Sequence, residues 1–443
     1  MPDTSSITVG RSRELRGTLR VPSDKSITHR ALFFGAINRR TTTIIDPSPG
    51  DDVRRTLALV TELGRDVDVL DDAIVLRDGD ARNDGAPLAL DCGNSGTTAR
   101  LAMGLLAAEP GRFTLDGDES LRRRPMERVA APLRRLGAVI TTNDGRLPAE
   151  ILGASDLAGG ASHGLIAVES AQVHAALVLA ALRSRAGATL FAARPMRDHT
   201  LRMLRAFGCD ASTSEAGVHR ILPTILSRDV ELRVPGDFSS AAFLAAAAVL
   251  VPGSEIIIEN VGLNPTRTAF LRAIQRMGAD VTSEVVGDDI EPRGLIVARY
   301  SPELQAATFG EEGDDDVPVA EMIDELPLLA LVATQASGHS VIGGANELRV
   351  KESDRITSTV AALRALGAAV DELEDGFAIG GRQQLSGGGR VDPAGDHRLA
   401  MMAAVGALVA EEPTVIDDRD VASVSYPDFW LDLERLGGSM HPI

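Results

Sequence analysis

Apolar positions along the chain fall into one recurring pattern. Six stretches carry apolar residues at helical spacing and end in an apolar residue followed by glycine: residues 53–64, 128–137, 200–208, 268–278, 357–367 and 429–437. In the second, Val129, Pro132, Leu133 and Leu136 share one face, the three-and-four spacing of an amphipathic helix. The closing glycine stands where a helix ends on a residue of positive φ. β-rich pieces flank these helices at 41–45, 73–76, 112–115, 138–142, 255–258 and 340–342. Helix and strand alternate, which predicts an α/β protein.

The closing glycines, Gly64, Gly137, Gly208, Gly278, Gly367 and Gly437, stand 73, 71, 70, 89 and 70 residues apart. Four near-equal intervals indicate a repeated unit of about 70 residues. The long fourth interval holds the acidic, glycine-bearing stretch 309–316, which reads as an inserted loop. A second echo divides the six units into two halves. Val21-Pro22-Ser23-Asp24-Lys25-Ser26 returns 213 residues later as Val234-Pro235-Gly236-Asp237-Phe238-Ser239. Each copy leads into a small-residue helical stretch, 31–37 and 241–250. The expected domains are therefore 21–234 and a discontinuous 1–20 plus 235–443, the N-terminal stretch joining the C-terminal half.

Composition narrows the function classes. A chain of 443 residues exceeds one ordinary core, in keeping with two domains. The longest apolar run, 241–251, has eleven residues, whereas a membrane span needs roughly 20. The first ten residues have neither a basic nor an apolar segment of the kind that opens a secretory signal. Two cysteines, Cys92 and Cys209, make neither a disulfide framework nor a metal-ligand spacing, and the expected compartment is a reducing cytoplasm. Lys and Arg number 45 against 63 Asp and Glu, for a net charge of −18. No basic run exceeds Arg122-Arg123-Arg124, so neither a nucleic acid nor a membrane is the expected partner. Such a chain repels anions at long range, and an anionic substrate would require locally concentrated cations.

The cations do concentrate, at helix starts: Arg122, Arg123 and Arg124 before Pro125; Arg194 and Arg197 before Asp198; Arg349 and Lys351 before a helix carrying Arg355; His397 and Arg398. Helix N-termini offer free N–H groups and a positive dipole end, and Arg or Lys adds charge-assisted bonds to phosphate or carboxylate. Two further loops, Asn94-Ser95-Gly96-Thr97-Thr98 before Arg100 and Asp24-Lys25-Ser26 before Arg30, lack the Walker A lysine pattern; Gly96 would let a ligand approach the backbone. Glu321, Asp324 and Glu325 cluster before an apolar helix, and Glu352 and Asp354 lie among Arg349, Lys351 and Arg355. An acid among cations has its charged form stabilised. On residue type alone these are candidate acid–base groups or helix caps.

These pieces, in order, carry a resemblance. Pro22-Ser-Asp-Lys-Ser-Ile-Thr-His-Arg30, Gly93-Asn-Ser-Gly-Thr97 with Arg100, Arg124-Pro125-Met126, Ser170-Ala-Gln172, Arg197-Asp-His-Thr200, Pro235-Gly-Asp-Phe-Ser-Ser240, Leu348-Arg-Val-Lys-Glu-Ser-Asp-Arg355, Asp396-His-Arg398 and Tyr426-Pro427 make the chain resemble the 5-enolpyruvylshikimate-3-phosphate synthase family over essentially its full length. Arg197-Asp198-His199-Thr200 and Met322-Ile323-Asp324-Glu325 are closer to its class II bacterial branch. The resemblance implies the enolpyruvyl transferase fold: two similar domains, each of three repeated α/β units, with the active site in the interdomain cleft. It implies transfer of the enolpyruvyl group of phosphoenolpyruvate to the 5-hydroxyl of shikimate 3-phosphate, a step towards chorismate, by a monomer without cofactor or metal.

By the same resemblance, Asp324 takes the proton of the 5-hydroxyl and Glu352 serves proton transfer at the methylene carbon, with Lys25 also among the catalytic residues. Lys25, Arg124, Arg355 and Arg398, the Gly96 backbone and the Gln172 amide hold phosphoenolpyruvate. Ser26, Arg30, Ser170, Arg197 and Lys351 hold shikimate 3-phosphate, and Asn94 and Ala171 complete the substrate-binding set. The chain departs from the family pattern at three places. Val424 stands where many members carry Lys, Ala171 replaces a second Ser, and Glu347 stands where some have Asn. Gly96 bears on glyphosate, which occupies the phosphoenolpyruvate pocket in this family; an alanine there is associated with tolerance, so glycine implies sensitivity. Leu101, where some members have Pro, stands on the same segment. The related transferase acting on UDP-N-acetylglucosamine is the alternative, but its Lys-Asn pair is Lys25-Ser26 here. A non-catalytic protein on the same scaffold would have lost the acids, and Asp324 and Glu352 are present.

Overall fold

The computed structural model describes residues 5–79, 86–160, 164–168, 170–193, 196–209, 217–310 and 316–442. Arg194, the first four residues and 311–315 of the acidic stretch lie outside the described residues. The chain divides into two compact units, Ser23–Val234, and Met1–Pro22 together with Pro235–Ile443.

The first unit contains helices α1 (Lys25–Ile37), α2 (Asp51–Glu62), α3 (Gly96–Ala107), the short α4 (Glu119–Arg123), α5 (Glu127–Arg135), α6 (Ala171–Leu182) and α7 (His199–Ala206). The second contains α8 (Phe238–Leu250), α9 (Ala269–Arg276), α10 (Leu326–Ala333), α11 (Arg355–Ala365), α12 (His397–Ala407) and α13 (Phe429–Arg435). Among the described residues there are five four-stranded sheets and one three-stranded sheet, three in each unit. Each four-stranded sheet joins parallel and antiparallel pairs. In one, Leu88–Asp91 runs parallel to Gly111–Asp116, which pairs antiparallel with Arg146–Gly153, and that strand pairs antiparallel with Val139–Asn143. The chain's N-terminal strands belong to the second unit: Ile7–Gly10 lies between Thr414–Ile416 and Ser439–Pro442, and Arg16–Arg20 lies parallel to Glu255–Gly262.

Two kinds of helix alternate, and their sequences say why. α2, α5, α7, α9, α11 and α13 bury one face and expose the other. Each ends at a glycine of positive φ, Gly64 at 86°, Gly137 at 94°, Gly208 at 80°, Gly278 at 90°, Gly367 at 95° and Gly437 at 110°. These close the last turn without a Cβ clash. α1, α3, α6, α8, α10 and α12 are instead mainly apolar and buried nearly all round, α1 with His29 and Arg30 buried among its apolar residues, as a helix without a polar face must be. Among the described residues no helix is long and apolar enough to cross a membrane.

The buried helices approach closely because their residues are small. A Cβ placed on Gly104 of α3 would stand 2.0 Å from the carbonyl oxygen of Ala176 in α6. The two backbones therefore touch, and this contact sets how their N-terminal turns meet. Gly104→Ala must push α3 and α6 apart and should lower the unfolding free energy by roughly 1–3 kcal/mol. Urea unfolding checks this; a variant as stable as the parent would mean that the two helices are not in backbone contact.

Candidate active site

In the first unit the N-terminal turns of the three buried helices meet. Asp24 caps α1, its Oδ1 accepting the Ile27 N–H at 2.8 Å. That cap starts the helix so that Lys25, in its first turn, reaches Asp52 of α2 with Nζ–Oδ2 at 2.8 Å. Ser95 caps α3 and Ser170 caps α6, each accepting a backbone N–H three residues on. From α3, Arg100 Nη1 donates to Gln172 Oε1 of α6 at 2.7 Å, and Gln172 Nε2 donates to Thr97 Oγ1 at 3.0 Å. Arg124, buried after α4, donates Nη2 to Asn94 Oδ1, while Asn94 Nδ2 donates to Asp118 Oδ2 at 2.7 Å. Gly96 sits against both guanidiniums: a Cβ there would lie 3.1 Å from Arg124 Nη1 and 3.2 Å from Arg100 Nη1. Arg30, one turn along α1 from Ser26, donates to the Ser26 carbonyl at 2.9 Å, to the Ala171 carbonyl at 3.3 Å and to Thr200 Oγ1 at 3.0 Å. Arg197 stands two residues before α7, the helix that carries Thr200.

In the second unit a charged cluster centred on Arg355, the first residue of α11, gathers carboxylates from the starts of α10, α11 and α12. Its side chain is 1% exposed. Its Nε meets Asp396 Oδ2 at 2.6 Å, its Nη2 meets Glu352 Oε2 at 2.7 Å, and its Nη1 meets Asp324 Oδ1 at 3.2 Å. Burial alone would depress the Arg355 pKa; the carboxylates of Asp396, Glu352 and Asp324 outweigh it and push the pKa up. Asp324 also faces Lys351 Nζ at 3.5 Å and Arg398 Nη2 at 3.9 Å. Lys351 is shared with Glu347 at 3.3 Å. A carboxylate, Asp324, is thus surrounded by three cations, and a second, Glu352, lies on the same arginine. This arrangement can accept and deliver protons beside fixed positive charge.

The structure separates residues that look alike in the sequence. Of the arginine triplet, exposed Arg122 pairs with half-buried Asp116 and Arg123 with exposed Glu119; only Arg124 turns inward. Arg349 is tied to Asp354, Glu372 and two carbonyls near the strand Val370–Leu373, a bracing role away from the Arg355 cluster. Asp354 caps α11. The acidic trio diverges: Asp324 faces the cations, Glu321 pairs with Arg272 at 2.7 Å, and Glu325 is buried, accepting a hydrogen bond from Ser239 with Arg398 Nη1 at 3.8 Å. Val424 closes a short 3₁₀ turn, Arg419–Val424, and is half-buried. Three contributors escape a reading by residue type. Asp52 resembles any acid in a first helical turn. Arg100 stands immediately before the apolar stretch 101–108, where its residue type says nothing of its bond to Gln172. Asp396 reads as a cap, which it is, its Oδ1 accepting the Arg398 N–H at 3.0 Å while the same carboxylate grips Arg355. Among the described residues no group of three or more histidines, cysteines or carboxylates is arranged to hold a metal ion.

Comparisons with known proteins place the chain in a family. A sequence profile described as EPSP synthase (3-phosphoshikimate 1-carboxyvinyltransferase) matches residues 9–433. The chain is 45% identical over 436 residues to the 3-phosphoshikimate 1-carboxyvinyltransferase of Synechococcus sp. (strain RCC307), covering 95% of this chain and 97% of that one. A solved EPSP synthase from Acinetobacter baumannii superposes with a TM-score of 0.83 at 33% identity, covering 98% of this chain and 99% of the other. The enolpyruvyl transferase NikO from Streptomyces tendae shares the fold, with a TM-score of 0.77 at 16% identity and 98% coverage of both chains. The chain belongs to the EPSP synthase family.

Proposed function

We propose that this chain is a 3-phosphoshikimate 1-carboxyvinyltransferase, which moves the enolpyruvyl group of phosphoenolpyruvate onto the 5-hydroxyl of shikimate 3-phosphate and releases phosphate. Membership of the family and full-length likeness to proteins of that name support the reaction. The observation that carries the residue roles is Asp324, held against Arg355, Lys351 and Arg398 with Glu352 on the same arginine.

The chemistry assigns work to both clusters. The 5-hydroxyl oxygen bonds to C2 of phosphoenolpyruvate, its proton passing to Asp324, while Glu352 delivers a proton to C3. The tetrahedral adduct then collapses: a proton leaves C3 for Glu352, the double bond reforms and the C2–O bond to phosphate breaks. Charge moves between carboxylate and phosphate oxygens throughout. Lys25, Arg124, Arg355 and Arg398, with the Gly96 backbone and Gln172, hold phosphoenolpyruvate. Ser26, Arg30, Ser170, Arg197 and Lys351 hold shikimate 3-phosphate, with Asn94 and Ala171 alongside. Cations already fixed by hydrogen bonds stabilise the shifting charge without reorganising at the moment of reaction. Arg124 on Asn94 and Arg355 on Asp396 are fixed in this way.

Phosphate release is the direct test, with shikimate 3-phosphate or UDP-N-acetylglucosamine as acceptor. Release is expected with shikimate 3-phosphate alone, and Asp324→Ala should lower kcat by about 10²–10⁴-fold, the range of a general acid–base group. Release with the nucleotide sugar, or an unimpaired variant, would contradict the reading.

Glyphosate should compete with phosphoenolpyruvate, because Gly96 leaves the space before Arg124 and Arg100 open. A methyl at this position crowds both guanidiniums, so Gly96→Ala should weaken inhibition about tenfold or more. Feeble inhibition of the parent, no weaker in the variant, would refute this. Leu101 is fully buried in the core of its unit.

A further inference from the structure

One helical turn beneath Lys25 runs a chain of buried hydroxyls. The outer rung between α1 and α2 is the Lys25–Asp52 ion pair at 2.8 Å. The inner rung is made by the residues four places on, His29 and Thr56, with Nδ1 and Oγ1 at 2.7 Å. From Thr56 the chain continues to Thr98 Oγ1 of α3 at 2.7 Å, and from Thr98 to Ser95 Oγ at 2.7 Å. Ser95 caps α3 and immediately precedes Gly96. His29, Thr56, Thr98 and Ser95 are each 0% exposed.

Counting protons fixes the direction of the chain. Thr98 has one hydroxyl proton, directed to Ser95 Oγ, with the Asp52 carbonyl at 3.3 Å as its other acceptor. Thr98 must therefore accept from Thr56, since a hydroxyl has one proton to give. That uses the proton of Thr56, so the hydrogen on His29 has to sit on Nδ1. His29 Nε2 is then bare, and it is buried without a hydrogen-bond partner. Desolvation by burial, with Lys25 and Arg30 adding to it against Asp52, lowers the His29 pKa to about 3. The ring is neutral at working pH.

We propose that Thr56 is a positioning residue for enolpyruvyl transfer: through His29 and Thr98 it locks α1, α2 and α3 in the register that sets the distance between the Lys25 ammonium and the Gly96 backbone. This rests on the reading that both groups hold phosphoenolpyruvate. The ion pair alone is a weak ruler, because a lysine ammonium is a point charge on a flexible stem. Three short bonds in a dry interior are directional and reinforce one another. Thr56 touches no substrate; it fixes where the substrate's anion is met.

The test compares Thr56→Val, which keeps the side-chain shape but removes the link, with Thr56→Ser, which keeps the hydroxyl. Histidine ¹⁵N spectra, with the His29 signal assigned from His29→Asn, should show a neutral Nδ1–H ring in the parent down to pH 5. Thr56→Val should raise KM for phosphoenolpyruvate about tenfold, the effect of one buried group left unsatisfied. KM for shikimate 3-phosphate should stay within about twofold, since a buried link this local shifts one anion contact only. Thr56→Ser should restore KM for phosphoenolpyruvate. An unchanged KM in Thr56→Val, an equal rise for both substrates, or no rescue by serine would overturn the positioning role. An Nε2–H ring would overturn the hydrogen-bond chain itself. If the parent transfers no enolpyruvyl group, the functional reading fails and the positioning role with it, while an Nδ1–H ring would leave the chain standing as architecture alone.

Discussion

The structure depends on bringing three helix N-termini together in each unit. α1, α3 and α6 meet through Arg100, Gln172 and Arg30; α8, α10 and α12 meet through Ser239, Glu325 and Arg398. Each end carries about half a positive charge and unpaired N–H groups, so gathering three is unfavourable unless anions answer them. The protein supplies part of that answer itself, as capping Asp and Ser side chains and as Asp52, Asp324 and Asp396. The helices can converge because they are made of small apolar residues, with Gly104 against the Ala176 carbonyl the tightest case. A bulkier core would hold the ends apart and dissolve the site.

Within this frame the arginines act as fixed geometry more than as charge. Arg355 has its Nε, Nη1 and Nη2 engaged by Asp396, Asp324 and Glu352 while its side chain is almost wholly enclosed. Removing one partner of such a buried cluster typically costs about 3–5 kcal/mol, because the remaining charge is stranded. The cluster is therefore coupled: the carboxylates proposed to do the proton chemistry, Asp324 and Glu352, are also those that hold the cation. That coupling reconciles a net charge of −18 with an anionic substrate. Exposed acids are solvated, while the cations at the helix ends are held at fixed positions by carboxylates, as Lys25 is by Asp52 and Arg355 by Asp396.

Much of this was legible in the sequence, and the limits are physical. The six amphipathic helices announce themselves by period and by their terminal glycines, and the α/β alternation follows from them. Of the buried helices, α1 and α8 stand out by their echoing approach segments and α10 and α12 by the charged residues at their starts; α3 and α6 give no periodicity because nearly every side is apolar. Yet those helices carry the site at their starts. Residue type cannot tell Arg124 from Arg122, since the difference is which side of a short helix faces Asp116. Nor can it divide the work of Asp324 and Glu325, neighbours that share Arg398 while Asp324 turns to Arg355 and Lys351 and Glu325 to Ser239. The resemblance to a known family named the inward-facing members of these sets, while the bracing groups, Asp52, Asp396 and the Thr56 link, needed coordinates.

The central claim is that a held array of cations, and not positive charge as such, makes this site. Arg355→Lys tests it most directly, because lysine keeps the charge but cannot bridge Asp396, Asp324 and Glu352 at once. The measurement is kcat/KM for phosphoenolpyruvate, with urea unfolding alongside to show that the variant is folded. The account predicts a loss of about 100-fold or more in a folded protein, the scale on which misplaced positioning groups act. A folded variant retaining activity within about threefold of the parent would contradict it, since a difference that small lies below the effect of losing one hydrogen bond to a charged group, about 1.5–3 kcal/mol.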